Sequence, residues 1–247
     1  MADFHRPGEP PAPSGFGQHG ERPLVPASDP GSALAVADDF FLIVLNDRTG
    51  KLRLHHRIAA IGIAGGMLAE LVFGGHISFG GGKVAVVHTE PPTERVAKQV
   101  YGRFLTEPKT TDVRTWLAFF AEIATGLVAD RLGENGWIEP IEQRRLLRRT
   151  GAVAYRPRDR SQVAWRAMRL AEQLARQRTL DLHDVTLGGL VAATGFIQAV
   201  LWNHPVDACQ AHLATQLAEL RSRWPALHEL FSHVHALSGE ATLSPRI

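Results

Sequence analysis

Arg57–Gly75 reads "RIAAIGIAGGMLAELVFGG". Only Arg57 and Glu70 carry charge, and five of its nineteen residues are glycine. The apolar run is read as a helix despite those glycines, ending at Gly74-Gly75, where glycine is the usual terminator. Upstream, "ALAVADDFFLIVLND" reads as a buried helix with Asp38 and Asp39 on its wet side and Ser32 as the N-cap. "RTGKLRL" then reads as a turn and a short strand. Downstream, "HISFGGGKVAVV" sets two short apolar runs around three glycines, a hairpin signal.

The rest of the chain is mostly helical in pattern. Pro91-Pro92-Thr93 opens "ERVAKQVYGRFLTE". Thr111 is positioned to cap "DVRTWLAFFAEIATGLVADRLGENG", a helix expected to break near its middle and to end at Gly136. Four further helical patterns cover roughly Gln162–Arg178, Leu182–Trp202, Val206–Arg221 and Pro225–Leu237. Val185–Asn203, "VTLGGLVAATGFIQAVLWN", is the longest uncharged run. It is long enough to span a bilayer, but Thr186, Thr194, Gln198 and three glycines, with no basic flank, favour a buried helix. Val185–Trp202 is therefore expected to be the central helix, with Leu190, Phe196 and Leu201 inaccessible. The expected fold is mainly α: one helical domain around a central apolar helix, with two or three short β-hairpins. Residues 32–238 form the domain, and residues 239–247 a flexible tail. Residues 1–31, with seven prolines and five glycines, read as a disordered arm.

Composition narrows the function. An apolar fraction of 45% and a charged fraction of 21% suit a globular domain. The single cysteine, Cys209, fits a reducing compartment. The N-terminus lacks a secretory pattern and the glycine needed for myristoylation. These features suit a cytoplasmic protein. "GGGKV" is not a phosphate loop, because Val84 stands where Ser or Thr is needed and Ile77 where the first glycine is needed. There is no GxGxxG after a strand and no GxSxG. His228, His233 and His235 lack the spacing and the cysteine neighbours of a zinc site. Cys209 and His212 share a helix face, but nothing marks the thiol as activated. Glu70 is an acid without a partner carboxylate. No catalytic residue, metal or cofactor is expected, and the chain does not read as an enzyme.

Charge is the other signal. Arg144–Arg160, "RRLLRRTGAVAYRPRDR", carries +6, which leaves −4 for the rest of a chain whose total is +2. The segment is expected to be a hairpin turning near Thr150-Gly151. Arg144, Arg145, Arg148, Arg149, Arg156 and Arg158 form its cationic side, and Leu146 and Leu147 are its apolar insert. A solvated edge, charged against aggregation, is the alternative. Each arginine near an anionic bilayer contributes roughly 1 kcal/mol, and burying a leucine about 1.5–3 kcal/mol. Together they could hold the protein on a membrane.

"ADDFFLIVLNDRTGKLRL" followed by "GIAGGMLAELVFGGHI" resembles the Golgi phosphoprotein 3 family. The matching positions are Gly62, Gly65, Leu68, Glu70, Leu71, Gly75 and Ile77, with Trp116 after "TTDVRT" and "LGENGWI" further on. The composition suits a bacterial-type member. The resemblance implies a mostly helical fold and a peripheral protein that binds phosphatidylinositol 4-phosphate on a basic face at the inner side of a membrane. It also implies a projecting hairpin for insertion and self-association, and in the Golgi members a link to glycosyltransferase tails. Carried over by position, the family's headgroup tryptophan falls on His55 and its helix arginine on Ala64. Two further arginines fall near Glu122 and Thr125. None of the four is retained; Arg53 and Arg57 are the nearby basic candidates. Two readings compete with anionic-lipid binding. One is a protein-interaction adaptor. The other is a winged-helix-like nucleic-acid binder, which the apolar candidate recognition helix disfavours.

Overall fold

The computed structural model describes residues 34–141 and 153–243. The arm 1–31, Ser32, the segment Arg144–Arg149 and the turn at Thr150-Gly151 lie outside the described residues. Helix α1 (Val36–Val44) is buried at all nine positions. Helix α2 (His56–Phe73) packs on it, and its glycines explain how: a Cβ on Gly62 would lie 2.3 Å from the Phe40 ring, and one on Gly66 2.7 Å from the Ala37 backbone. The two helices therefore approach closer than side chains allow. By length and composition α2 could cross a membrane, but 72% of that window is buried inside the protein. It is the core helix.

Around this pair lie the strands β1 (Ile77–Gly80) and β2 (Lys83–Val86), an antiparallel hairpin in the register Ile77↔Val86 that turns at Gly81-Gly82. Helices α3 (Arg95–Thr106) and α4 (Val113–Glu134) follow. A second antiparallel pair, β3 (Ile138–Ile141) and β4 (Ala154–Pro157), has the register Ile141↔Ala154. The chain closes with α5 (Arg160–Ala175), α6 (Leu182–Ala193), α7 (Ile197–Val200), α8 (Val206–Arg223) and α9 (Pro225–Leu243). Helix α2 touches α1, α3, α4, α6 and α9. The mainly α architecture around an apolar helix, with two short hairpins, is as the sequence predicts.

Side-chain caps start most of the polar helices. Glu94 accepts from the Ala97 amide, Asp112 from Thr115, Asp159 from Ser161 and Asp181 from Asp184. Each satisfies an amide that has no partner within its own helix.

Several expectations are corrected. Asp112, not Thr111, caps α4, because its carboxylate reaches both the amide and the hydroxyl of Thr115 at 2.7 Å. Helix α4 runs unbroken. "RTGKLRL" makes the expected turn, with the Gly50 amide donating to the Asn46 carbonyl, but in place of a strand only the isolated bridge Leu45↔Leu52. Helix α1 begins at Val36 after Ala35. Asp38 and Asp39 are buried, at 2% and 0% exposure. Residues 239–243 continue α9, where Leu237 and Ala241 pack on the core.

Val185–Trp202 is not one helix and not the central one. Helix α6 stops at Ala193, and Gly195 takes φ +72°, a left-handed conformation that admits glycine without strain. The short α7 then turns away and leaves Trp202 80% exposed. Leu190, Phe196 and Leu201 are nonetheless buried.

Candidate functional site

Asn46 organises the loop between α1 and α2. Its Oδ1 accepts from the amides of Arg48 (3.0 Å) and Thr49 (2.9 Å), while its backbone pairs with Lys51 and Gly50. Gly50 closes the turn at φ +71°. Its carbonyl accepts from the Tyr155 amide at 2.7 Å, and a Cβ there would sit 2.6 Å from the Tyr155 carbonyl. The loop is thus the seat on which the β3–β4 hairpin docks.

A cavity of about 820 Å³ opens where this loop, the start of α2, α4, β4 and α9 meet. Its walls are largely apolar, with Leu52, Leu54, Ile61 and Leu237 among them. Lys51 and Arg57 bring positive charges and His56 an imidazole; Glu122 and Thr125 line it from α4. Burial, and more weakly the charge of Asp130, pushes the Tyr155 hydroxyl above its usual range, so it stays protonated and can donate.

The predicted residues distribute as follows. Arg57 lines the cavity and is exposed. Arg53 is exposed on the loop, 4.0 Å from Asp47. His55 stands in the N-cap position of α2, exposed, its ring 4.3 Å from that of His56. It is His56, not His55, that lines the cavity. Ala64 is fully buried inside α2, outside the cavity lining. Arg156 projects from β4. Arg158 pairs with Glu139 across the hairpin at 3.0 Å, so its charge is already matched. Arg144, Arg145, Leu146, Leu147, Arg148 and Arg149 fall outside the described residues.

Beneath this face lies a set of buried ion pairs that sequence reasoning missed. Asp38 and Asp39 reach to different sides of α1. Asp38 accepts from Arg131 Nε at 2.8 Å, and the same guanidinium donates to Glu70 at 3.1 and 3.3 Å and lies 3.4 Å from Glu94. Glu70 also accepts from the Ala37 amide at 2.9 Å. It is therefore a structural clamp, not a lone acid. Burial pushes the Asp38 carboxyl up to about 7 against the pull of Arg131. Asp39 accepts from Arg166 at 2.8 Å and contacts His183 Nε2 at 2.9 Å. The Arg166 guanidinium lies 5.0 Å from the Trp137 ring. Burial works against a charged His183, but the hydrogen bond and charge of Asp39 outweigh it and raise its pKa. Arg169 and Asp184 form a further pair between α5 and α6. The signal for Arg166 was local: Val163 and Leu170, three before and four after, are buried, so the arginine sits on a core stripe.

The other catalytic candidates dissolve. Cys209 is 1% exposed and burial raises its thiol pKa, while His212 meets the Arg178 carbonyl. Among the described residues no three of His, Cys, Asp and Glu gather as a metal site.

A helical domain built on a buried α1–α2 pair, with a hairpin seated on the loop between them, defines the class. The family model for Golgi phosphoprotein 3 (GPP34) matches residues 36–234, and the chain belongs to that family. It is associated with lipid and protein interactions and is not known as a family of enzymes. No curated protein matches the chain.

Proposed function

We propose that the protein is a peripheral membrane protein that binds anionic phospholipid at the cavity beside the α1–α2 loop, with the β3–β4 hairpin as its second anchor. By family resemblance the headgroup is phosphatidylinositol 4-phosphate. The protein works from the cytoplasm at the inner face of the membrane, and its hairpin also serves self-association. The observation that carries this reading is the cavity itself: Glu122 and Thr125, near which two family arginines fall by resemblance, line it together with Lys51, His56 and Arg57.

A phosphate monoester in that cavity would meet the charges of Lys51 and Arg57 and the N-terminal end of α2, which favours anions. Glu122 opposes it. The chain thus supplies a weaker cationic set than the family pattern, and the hairpin arginines compensate through long-range attraction to the leaflet.

Flotation with vesicles of phosphatidylcholine alone, of phosphatidylcholine with phosphatidylserine, and with phosphatidylinositol 4-phosphate added tests this, beside a duplex-DNA shift assay. Binding only to anionic vesicles, weakened in Lys51→Gln/Arg57→Gln, is expected. Flotation indifferent to anionic lipid would refute it, and a DNA shift without flotation would favour nucleic-acid binding.

A further inference from the structure

A second cavity of about 820 Å³ is lined by other residues of the α1–α2 loop, by α5 and by the segment that follows α7. It shares no lining residue with the first. Leu42, Val163 and Val200 line it and are buried, at 0%, 3% and 4% exposure. Trp202, Met168 and Trp165 line it too, yet remain 80%, 64% and 43% exposed. Buried aliphatic groups thus form its depth, and large unpacked apolar groups its mouth. Nothing in the core accounts for an exposed tryptophan here: the chain break at Gly195 and the short α7 carry Trp202 outward. Large exposed apolar patches mark binding surfaces.

The charges at this cavity are uneven. Arg169 is occupied by Asp184, and Glu172 by Arg176 at 2.6 Å. Among the described residues Asp47 pairs only with Arg53, at 4.0 Å. Arg48 and Arg178 are exposed and make no ion pair among the described residues. What the cavity offers is an apolar slot with unmatched guanidinium groups at its edge.

We infer that this cavity is a binding site for a single-chain anionic amphiphile of the fatty-acid class. The alkyl chain lies against Val163, Val200 and the flanking Met168, and the carboxylate meets Arg48 and Arg178. A guanidinium fork matches a carboxylate in geometry as well as charge. Methionine adapts to a flexible chain, and a tryptophan ring offers an apolar face beside a polar N–H, which suits the boundary between tail and head. The volume lies within the range of small-ligand sites, about 300–1,000 Å³. A flat membrane would meet Trp202 and Met168 but leave the buried aliphatic depth unused, so a ligand that enters the slot fits better.

The inference is independent of the headgroup reading. The test titrates the full chain with laurate below its micelle concentration, following tryptophan fluorescence and heat. Acetate supplies the head alone, and dodecyltrimethylammonium the same tail with the opposite charge. Laurate is expected to saturate one site, with neither control doing so. Arg48→Gln/Arg178→Gln should weaken laurate about tenfold or more, as loss of a charge-assisted pair does. Trp202→Ala should weaken it by a similar factor, and both variants should melt like the parent because the altered side chains are exposed. Lys51→Gln/Arg57→Gln should bind laurate normally. Laurate binding that does not saturate, is as tight in both cavity variants as in the parent, or is matched by dodecyltrimethylammonium would overturn the site. Loss of vesicle binding in Trp202→Ala with no laurate binding in the parent would also overturn it and would make this face a bilayer contact.

Discussion

Replacing Arg166 by Met tests the clamp on α1. Arg166 is 2% exposed and Asp39 0%, at 2.8 Å. Methionine keeps much of the side-chain volume and removes the charge. Among the described residues Asp39 would keep only its contact with His183. Removing one partner of a buried pair costs about 3–5 kcal/mol, chiefly because the other charge stays buried without full compensation. For a domain of this size the melting temperature moves about 2–4 °C per kcal/mol, so a fall of about 6–20 °C is expected. Arg158→Met removes an arginine whose pair with Glu139 has side chains 58% and 51% exposed. That pair should contribute no more than about 1 kcal/mol. Adding Asp39→Asn to Arg166→Met should recover part of the loss, since it removes the stranded carboxylate. Thermal melts followed by far-UV circular dichroism provide the measurement. If Arg166→Met melted with the Arg158→Met control, α1 would not be held by buried charge and the reasoning would fail.

Three further outcomes follow from the same geometry. Gly50→Ala forces a side chain into a left-handed turn and against the Tyr155 carbonyl; it should cost at least about 1 kcal/mol and weaken vesicle binding by unseating the hairpin, and unchanged melting and binding would contradict the docking role of the turn. Because the pKa of His183 is raised above 6.5, its contribution is full below 6.5 and is lost as pH rises through the higher folded value. Asp38, raised to about 7 from 3.8, adds a loss of stability as pH climbs between those values. The melting temperature should therefore fall from pH 6 to 8.5, and His183→Gln should flatten the upper part; a rising profile would refute this. Glu122→Arg replaces a repelling charge by an attracting one at the cavity, worth about 2 kcal/mol at roughly 1 kcal/mol per charge, so anionic-vesicle affinity should rise about thirtyfold by titration, and no gain would place the lipid elsewhere.

Most of the helices and the β1–β2 hairpin were legible because their signals are local: apolar runs and glycine punctuation. The roles of Asp38 and Asp39 were not. On an isolated helix two adjacent acids read as solvated, and their partners Arg131 and Arg166 lie 93 and 127 residues away. The glycines of α2 looked like a cost to helix formation; their use, close approach to Phe40 and Ala37, exists only once α1 is placed. The break after α6 turned on one residue, Gly195, in an otherwise uninterrupted apolar run. Resemblance pointed to the headgroup region through His55, Glu122 and Thr125. Glu122 and Thr125 do line the cavity there, but His55 does not; Lys51, His56 and Arg57 join them, brought in by the loop that Asn46 organises and the start of α2.

The central claim is that this chain holds anionic membranes through the arginines of the segment Arg144–Arg149 together with that cavity. The most direct test is vesicle co-sedimentation of the parent and of Arg144→Gln/Arg145→Gln/Arg148→Gln/Arg149→Gln over a range of salt. The parent should bind phosphatidylserine-containing vesicles and release as salt rises, since the screening length shrinks from about 10 Å at 0.1 M to about 3 Å at 1 M. The variant should melt normally yet lose roughly 4 kcal/mol of attraction, which removes measurable binding. A variant that sediments like the parent, with the same salt dependence, would contradict the account.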